Sequence, residues 1–403
     1  MREEYKNSPI GEFPKNWEVV QLNEVLTIGS GRDYKHLEEG DIPVYGTGGY
    51  MTSVNEYLYD GESVGIGRKG TIDKPVFLNG KFWTVDTLFY THSFKEVLPY
   101  YIYLVFQSIN WRKHNEATGV PSLSRTNIEK IKIPKPPLPE QQKIAEILST
   151  VDEKIEAIDQ RIAETQALKK GLMQQLLTKG IGHTKFKDSP LGEIPESWEL
   201  VPIYELRNKA DRYGFTGGPF GSDLKSEHYT ETGVKILQLQ NIGEGKFIDK
   251  GITFTSEEKA DELFSCNIFP GDIILAKMAP VARSCKVPFT DERYVMCSDG
   301  IRLSVDKEKF NNEFVFQAIN SKYFLDNAEA KSTGTTRARI GLKDLKLIPI
   351  AVPKDIKEQV EIAEILSSVD EKIQIQQDKK AEYQELKKGL MQQLLTGKIR
   401  VKV

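Results

Sequence analysis

At 403 residues the chain is long enough for two or three domains that each bury a core of their own, so size alone demands no disulfide or metal staple. A formal net charge of -3 at pH 7 gives no basic excess that would announce a nucleic-acid partner, yet it leaves room for the local Lys/Arg clusters that set phosphate contacts. No stretch reaches the ~18 apolar residues of a membrane span and the opening MREEYKNSP has no apolar leader core, so a cytoplasmic protein is expected.

In chain order, the first signature is SPIGEFPKNWEVV from Ser8, which returns as SPLGEIPESWELV from Ser189 at an offset of 181. A block from Glu18 to Pro134 follows, then EQQKIAEILSTVDEKI from Glu140, which returns as EQVEIAEILSSVDEKI from Glu358 at an offset of 218. The same offset carries KKGLMQQLLT at Lys169–Thr178 onto an identical ten residues at Lys387–Thr396. The chain is therefore two copies of one module, each a Trp motif, a variable block and a long repeat. The second block, roughly Glu199 to Pro353, is longer by about the difference of the offsets, 218 less 181, and mostly differs in sequence. Echoes survive: FQSIN at Phe106 answers FQAIN at Phe316, and ATG at Ala117 answers STG at Ser332. One scaffold with different loops accounts for both facts.

The long repeats read as helices. Ile144, Leu148, Val151, Ile155, Ile158 and Ile162 alternate spacings of four and three, and the frame runs on to Leu172 and Leu176, the heptad seam of a coiled coil. The second copy keeps Ile362, Leu366, Val369, Ile373, Leu390 and Leu394 but has Gln376 and Lys380 at its centre. Pro139 and Glu140 suit a first turn, Asp355 and Glu358 resemble a capping box, and Gly180 and Gly397 follow the last apolar residues. Each helix is about 38 residues, or roughly 57 Å at 1.5 Å per residue. Such a seam needs a partner, and pairing of the two copies about a pseudo-two-fold axis would set the helices antiparallel as a rigid spacer between the blocks. The expected fold is α+β: two mixed α/β domains held apart by two long antiparallel coiled-coil helices. The boundaries are 1–136, 137–180 (central helix), 181–354 and 355–403 (C-terminal helix and tail).

Packing alone requires only apolar seams, yet Glu153, Lys154, Lys170, Gln174 and Gln175 are matched by Glu371, Lys372, Lys388, Gln392 and Gln393. The variable blocks diverged over the same history, so a surface that meets one kind of partner twice explains the retention. Gly171 and Gly389 fit, because glycine costs about 1 kcal/mol inside a helix relative to alanine and lets another backbone come close. The partner-binding positions expected on this ground are Lys170, Gly171, Gln174, Gln175, Lys388, Gly389, Gln392 and Gln393.

Catalytic patterns are not found. GIGRKG at Gly65–Gly70 has the G-x-G-x-x-G spacing, but Asp73, Lys74 and Pro75 follow where a phosphate-binding helix should begin, so it reads as a strand-turn-strand tip. There is no G-x-x-x-x-G-K-[ST]. KPPLP at Lys135 lacks the leading Asn or Asp of an amino-methyltransferase motif, and the DEK triplets at Asp152 and Asp370 lie on helix faces rather than strand edges. The five histidines are scattered, and Cys266, Cys285 and Cys297 have no C-x-x-C spacing and read as reduced, buried thiols.

PKPPLPEQQKIAEIL at Pro134–Leu148, FPKNW at Phe13 and ATGVPSLSRTNIEKIKIP leading into the helix together resemble the DNA-specificity subunit of type I restriction-modification systems. The resemblance covers essentially the whole chain, with one departure: PKDIKEQ stands in the second copy for PPLPEQ in the first. It implies that the blocks are target-recognition domains, each reading one half of a bipartite double-stranded DNA sequence. It also implies that the helices dock two modification (methyltransferase) subunits, with restriction (translocase and endonuclease) subunits joining through the complex. The chain itself would be non-catalytic and without a cofactor or metal, S-adenosylmethionine, ATP and Mg belonging to the partner subunits.

Base edges are read by planar donors and acceptors on loops that enter a groove. In the first block the expected DNA-binding residues are Tyr45 and Thr47 in the YGTGG turn, Arg68 and Lys69 in the GIGRKG tip, and Thr118, Ser122, Ser124 and Arg125. In the second they are Ser222 and Lys225 in GPFGSDLK, Gln238, Gln240 and Asn241 after VKIL, Lys277 and Arg283, and Thr335, Arg337 and Arg339 in the loop Thr333–Arg339. That loop holds the place before the helix that Thr118–Arg125 holds in the first copy. The competing reading is a coiled-coil scaffold that assembles proteins without touching DNA; a lone nuclease or methyltransferase is a third.

Overall fold

The computed structural model describes residues 5–334 and 337–402. The chain forms two compact units, residues 1–160 with 377–403 and residues 161–376. Each takes one Trp motif, one variable block and part of both long helices.

A variable block enters and leaves its unit through an antiparallel neck. Glu18–Gln21 pairs with Lys132–Lys135 in the first unit, and Trp198–Pro202 with Pro349–Pro353 in the second. One further backbone bond closes each neck, Leu22 N to Ile131 O at 3.0 Å and Ile203 N to Ile348 O at 2.9 Å. The start and end of each block are thus brought together, and what lies between folds as a closed insert.

Inside the blocks the scaffold repeats. The first block has a four-stranded sheet in the order Thr27–Ser30, Leu88–His92, Ser63–Gly67, Val76–Leu78; the second has Phe215–Gly217, Gly300–Leu303, Ile273–Ala276, Ser284–Lys286. The registers coincide: Leu88 faces Gly67, and Gly300 faces Ala276. The central strands SVGIG and IILA are buried along their whole length, as strands covered on both faces must be. A second sheet accompanies each, four-stranded in the first block and five-stranded in the second, and each contains one parallel pair, Trp83 with Val44 and Ile236 with Val295. The extra length of the second block lies in loops and short elements around the common frame. Cys266 and Cys285 are buried, Cys297 is partly so, and all three are free; burial pushes the Cys285 thiol up to about 12.

The long helices run Leu138–Lys179 and Ile356–Leu394, 42 and 39 residues. The expected seam is real: Ile144, Leu148, Val151, Ile158 and Leu176 are buried, as are Ile362, Leu366, Val369 and Leu394. Ion pairs set the register. In the first unit Asp152 meets Lys387 at 2.7 Å and Asp159 meets Lys380 at 2.5 Å, the partner number falling as the other rises, which makes the helices antiparallel there. In the second unit Lys169 meets Asp370 at 2.7 Å. Adding 218 to 152 and 169 gives 370 and 387, so the same pair of repeat positions meets in both units with the helices exchanged. A glutamine of the FQ-x-IN echo joins each pair: Lys387 Nζ donates to Gln107 Oε1 at 2.8 Å, and Gln317 Nε2 donates to Asp370 Oδ2 at 2.9 Å. The weak centre of the second seam is answered in kind, Lys380 being neutralised by Asp159 where an apolar contact is missing.

Each unit is closed by a joint between its Trp motif and a long helix. Trp17 is 1% exposed and donates Nε1–H to Glu140 Oε2 at 3.0 Å; Asn16 Nδ2 donates to Oε1 at 3.2 Å, and the Arg400 guanidinium grips both oxygens. In the second unit Trp198 Nε1 donates to Glu358 Oε2 at 3.1 Å, with His183 Nε2 2.8 Å from Oε1 and the Ile181 amide donating to the same atom. Glu358 is therefore committed to Trp198, so the capping box expected with Asp355 does not form; Asp355 Oδ1 instead accepts from the Lys357 amide at 2.9 Å. The next residue repeats as well. Gln141 accepts from the Leu98 amide and donates to Pro136 O, five residues back, and Gln359 accepts from the Asn311 amide and donates to Pro353 O, six residues back, so the departure PKDIKEQ keeps the glutamine's role while shifting its carbonyl partner by one residue. Gly180 (φ +63°) and Gly397 (φ +69°) end the two helices, and a Cβ there would sit 2.8 Å from the Trp198 ring and 2.5 Å from Pro14. The C-terminus thus completes the first unit from the far end of the sequence, with Tyr5 Oη donating to Gly397 O at 2.9 Å.

Glu140 is 3% exposed, and removing one partner of a buried ion pair costs about 3–5 kcal/mol because the other is left uncompensated. Arg400→Ala should therefore destabilise the first unit by about that amount and Arg400→Lys by less. Hydrogen exchange should rise around residues 5–21 and the turn at Glu140 while the joint at Trp198 keeps its protection.

Candidate nucleic-acid interface

In the first unit the structure gathers three of the expected loops. The Tyr45–Gly49 turn closes the hairpin of Glu39–Gly46 and Gly49–Val54, with Gly49 at φ +107°. Thr47 Oγ1 lies 3.8 Å from where a Cβ on Gly70 would stand. The GIGRKG tip is the strand-turn-strand expected: Ser63–Gly67 pairs antiparallel with Val76–Leu78, and Gly67 is needed because a Cβ would sit 2.1 Å from Thr71 O. This tip is tied to the third loop by backbone bonds, Leu123 N to Arg68 O and Gly70 N to Pro121 O, both at 2.9 Å. The backbone is thereby fixed while Arg68, Lys69 and Thr118 stay exposed, with the Arg68 guanidinium 5.9 Å over the Phe89 ring. Ser122 is half-buried. Ser124 caps the short helix Arg125–Glu129, accepting from the Asn127 amide and donating to Glu116, whose carboxyl it holds below the usual range. Arg125 is exposed and paired with Glu129 at 2.7 Å.

The second unit repeats the tie with other side chains. Ile340 N donates to Lys277 O at 2.9 Å, the counterpart of Leu123 N to Arg68 O, which makes Lys277 the equivalent of Arg68 and sets the loop Thr333–Arg339 where Thr118–Ser122 stands. Thr333 and Arg339 exchange two backbone bonds at 2.9 Å, which pair the two ends of this loop. Arg337 and Arg339 are exposed on it, the latter paired with Asp299 at 2.8 Å; Thr335 lies outside the described residues. Lys277 differs from Arg68 in direction. Its ammonium donates inward to Ser298 O at 2.7 Å, and burial, then the charge of Arg339, holds its pKa below the usual lysine range.

Four further residues are placed apart from a free reading edge. Asn241 is fully buried, its amide donating to Ile248 O and Lys250 O and accepting from the Gln238 amide. Arg283 donates to the carbonyls of Leu239, Ile242, Met278 and Pro280. Both have the right chemistry for base edges but spend it on loop carbonyls, which withdraws them as readers. Gln240 is exposed but donates to Gln238 Oε1 and Gly251 O, and Gln238 is half-buried. Ser222 and Lys225 remain exposed on the loop after Phe215–Gly217, the lysine 3.6 Å from Glu227. Phe220, on the same loop, is 83% exposed and was not among the expected residues; its one sequence signal is a bulky ring set between Pro219 and Gly221.

The duplicated decapeptide divides by role. Lys169 and Lys387 make the interhelix ion pairs, and Leu176, Leu177, Leu394 and Leu395 are buried. Lys170, Gly171, Gln174 and Gln175 are exposed, as are Lys388, Gly389 and Gln392, with Gln393 half-buried. A Cβ on Gly171 or Gly389 meets nothing within 4 Å, so the same open Lys-Gly-Gln stripe occurs twice. Among the described residues no group of His, Cys, Asp and Glu side chains is arranged to hold a metal, and no helix is long and apolar enough to cross a membrane.

Comparison with known proteins agrees with the repeat. The family model described as type I restriction modification DNA specificity domain matches residues 14–167 and again 224–385. The MjaVIII specificity subunit of a type I restriction enzyme from Methanocaldococcus jannaschii is 30% identical over 96% of this chain and 94% of its own length. The EcoDI specificity subunit from Escherichia coli is 21% identical over 87% and 81%. In fold, the type I S subunit from M. genitalium superposes with a TM-score of 0.60 at 16% identity, covering 94% of this chain and 96% of that one. These likenesses lend nothing to the scaffold reading. With a twofold match to the family model, a relative at 30% identity over nearly the whole length and the duplicated arrangement of neck, block and helix, the chain belongs to the type I restriction-modification DNA-specificity family.

Proposed function

We propose that this chain is the sequence-reading, non-catalytic subunit of a type I restriction-modification complex, each variable block reading one half of a bipartite, asymmetric double-stranded DNA target. The observation that carries this reading is the backbone tie made twice on one scaffold, at Arg68 and at Lys277, under loops whose exposed side chains differ. A fixed backbone with interchangeable side chains is what direct readout needs, since base contacts specify while the frame positions. Different loops on equal frames account for unlike half-sites. The exposed stripe of Lys170, Gly171, Gln174 and Gln175, repeated at Lys388, Gly389, Gln392 and Gln393, offers like surfaces to two modification subunits. Restriction subunits join through them, and S-adenosylmethionine, ATP and Mg are the partners' to bind. The complex works in the cytoplasm, where the DNA is.

Replacing Arg337 and Arg339 by Ala should weaken discrimination at the half-site of the second block only, and replacing Arg68 and Lys69 at that of the first. The expected loss is about 5- to 150-fold in Kd per bidentate contact, the equivalent of about 1–3 kcal/mol. Binding of the assembled complex to duplexes with one half-site scrambled reads the effect, and equal loss at both half-sites would remove these loops from sequence reading.

The stripe yields a separate expectation. Lys170→Glu with Gln174→Ala, or Lys388→Glu with Gln392→Ala, should each cost one modification subunit, and all four together should cost both. Native mass spectrometry counts them, while the melting temperature should stay near that of the parent because exposed helix positions rarely contribute beyond about 0.5 kcal/mol. Unchanged stoichiometry in the fourfold variant would refute the assignment.

A further inference from the structure

Among the described residues, large exposed aromatic rings are few, and Phe220 is 83% exposed at the tip of GPFGSD. The tip is anchored at its base. Gly218 N donates to Gly300 O at 2.9 Å, and a Cβ at Gly218 would fall 1.8 Å from Cys297 O, so the loop leaves flush against the sheet. Asp223 N donates to Phe220 O at 2.9 Å and closes the turn that carries the ring, while Gly221 beside it has open space around it. A ring fixed in water at this exposure forgoes the roughly 1.5–3 kcal/mol that burying it would contribute, which asks for an occupant.

The surroundings indicate which. Phe220 borders a cleft of about 830 Å³ that also touches Lys225, Lys277 and Leu342. Lys277 carries the tie to Ile340 beneath Arg337 and Arg339, and its Nζ lies 2.9 Å from where a Cβ on Gly217 would stand. The ring therefore sits on the same edge as the proposed reading loops. The cleft is not a phosphate track: Lys225 and Lys259 are paired with Glu227 and Glu262, and the Lys277 ammonium is committed to Ser298 O. What this loop adds to the cationic arm of Arg337 and Arg339 is a flat apolar face. Phe289, equally bare at 82%, lies instead against Gly271, whose carbonyl holds Asn312 at the start of the helix Asn312–Ile319.

Among the described residues, the first unit has no exposed ring on the corresponding loop; its exposed Tyr50 stands on another hairpin, after the Tyr45–Gly49 turn. The corresponding loop leaves Thr27–Ser30 through Gly31, where a Cβ would fall 2.0 Å from Val85 O, and Arg32 N donates to Thr84 O at 2.8 Å. The aromatic that follows, Tyr34, packs inward against the cluster of Val44, Val54 and Trp83.

We propose that Phe220 is an aromatic wedge that stacks on a base, opening one base step, in the half-site read by the second block. The proposal rests on the DNA-reading role above. Stacked side chains of this kind unstack a step and trade that cost for closer contact.

The test uses the complex assembled with its modification subunits and the target found by methylome sequencing, with 2-aminopurine placed in turn along each half-site. The parent complex should raise fluorescence at one step of the second block's half-site. Phe220→Ala should abolish that rise and weaken binding roughly 5- to 150-fold, the worth of one base stacked on an aromatic ring, while Phe220→Trp should retain both. The ring is exposed, so the melting temperature of Phe220→Ala should be unchanged. Parent and Phe220→Ala complexes that bind alike with the same fluorescence profile would overturn the wedge and leave the reading role standing. Loss of subunit assembly with unaltered DNA affinity would overturn it in favour of a protein contact. Failure of the parent complex to bind or methylate any bipartite target would overturn both.

Discussion

A carboxylate taken out of water costs several kcal/mol unless charge and hydrogen bonds replace its hydration, and each unit closes around one at the first turn of a long helix. Glu140 and Glu358 lie where the positive end of the helix dipole favours them, but the specificity comes from the indole N–H of Trp17 or Trp198 and a basic side chain, Arg400 or His183. These groups come from different parts of the chain, so forming the carboxylate joint fixes at once where the Trp motif, the neck and the helix start must lie. Gln141 and Gln359, one residue on, extend the constraint to the block by pinning the amide that precedes its helix. The Glu-Gln pair is thus a two-pronged fastener. It explains why these residues are retained in both copies although neither belongs to the apolar seam.

The joint also explains the two offsets. In the second unit, Gly180 and Trp198 lie close along one stretch of chain; in the first, the same meeting is made by Gly397 and Trp17, from opposite ends of the sequence. The Trp motif belongs structurally to the helix end it packs against, whichever copy supplies it. Hence the module boundary in space does not coincide with the sequence repeat, and Gly397 and Arg400, beyond Leu395, take part in the first unit's joint.

Period and identity made much of this architecture legible. The seam positions, the antiparallel pairing and the strand-turn-strand reading of GIGRKG all follow from spacings of a few residues, where local geometry and side-chain type suffice. What spacing does not convey is long-range commitment. Glu358 sits at a capping-box distance from Asp355, yet it bonds Trp198, 160 residues earlier. Asn241 and Arg283 have the planar donors that base reading wants, but they spend them on carbonyls of neighbouring loops brought together by the fold, which no local pattern records. Lys169 and Lys387 stand beside Lys170 and Lys388 in an identical decapeptide, and only the helix pairing separates an ion pair from an open surface. Phe220 escaped notice for the converse reason: a phenylalanine is ordinarily core, and its exposure is a property of the turn that carries it.

The recognition edge combines constancy with change because its fastening is made of backbone. The bonds from Leu123 N to Arg68 O and from Ile340 N to Lys277 O ask nothing of the side chains at Arg68 or Lys277. Substitution at the exposed Arg68 leaves the strand ends, the neck and the joint undisturbed, so the cost of trying a new residue is the cost of a surface change, within about 0.5 kcal/mol. The seam and the Glu-Gln fastener allow no such latitude, since each member is buried or paired with a particular partner. Divergent loops and closely repeated helix ends are therefore two consequences of one division of labour: side chains hold the frame together where it is buried, and backbone holds it where it faces outward. The inward turn of Lys277 and the outward display of Arg68 from equivalent positions show how far two side chains can differ on that frame without altering it.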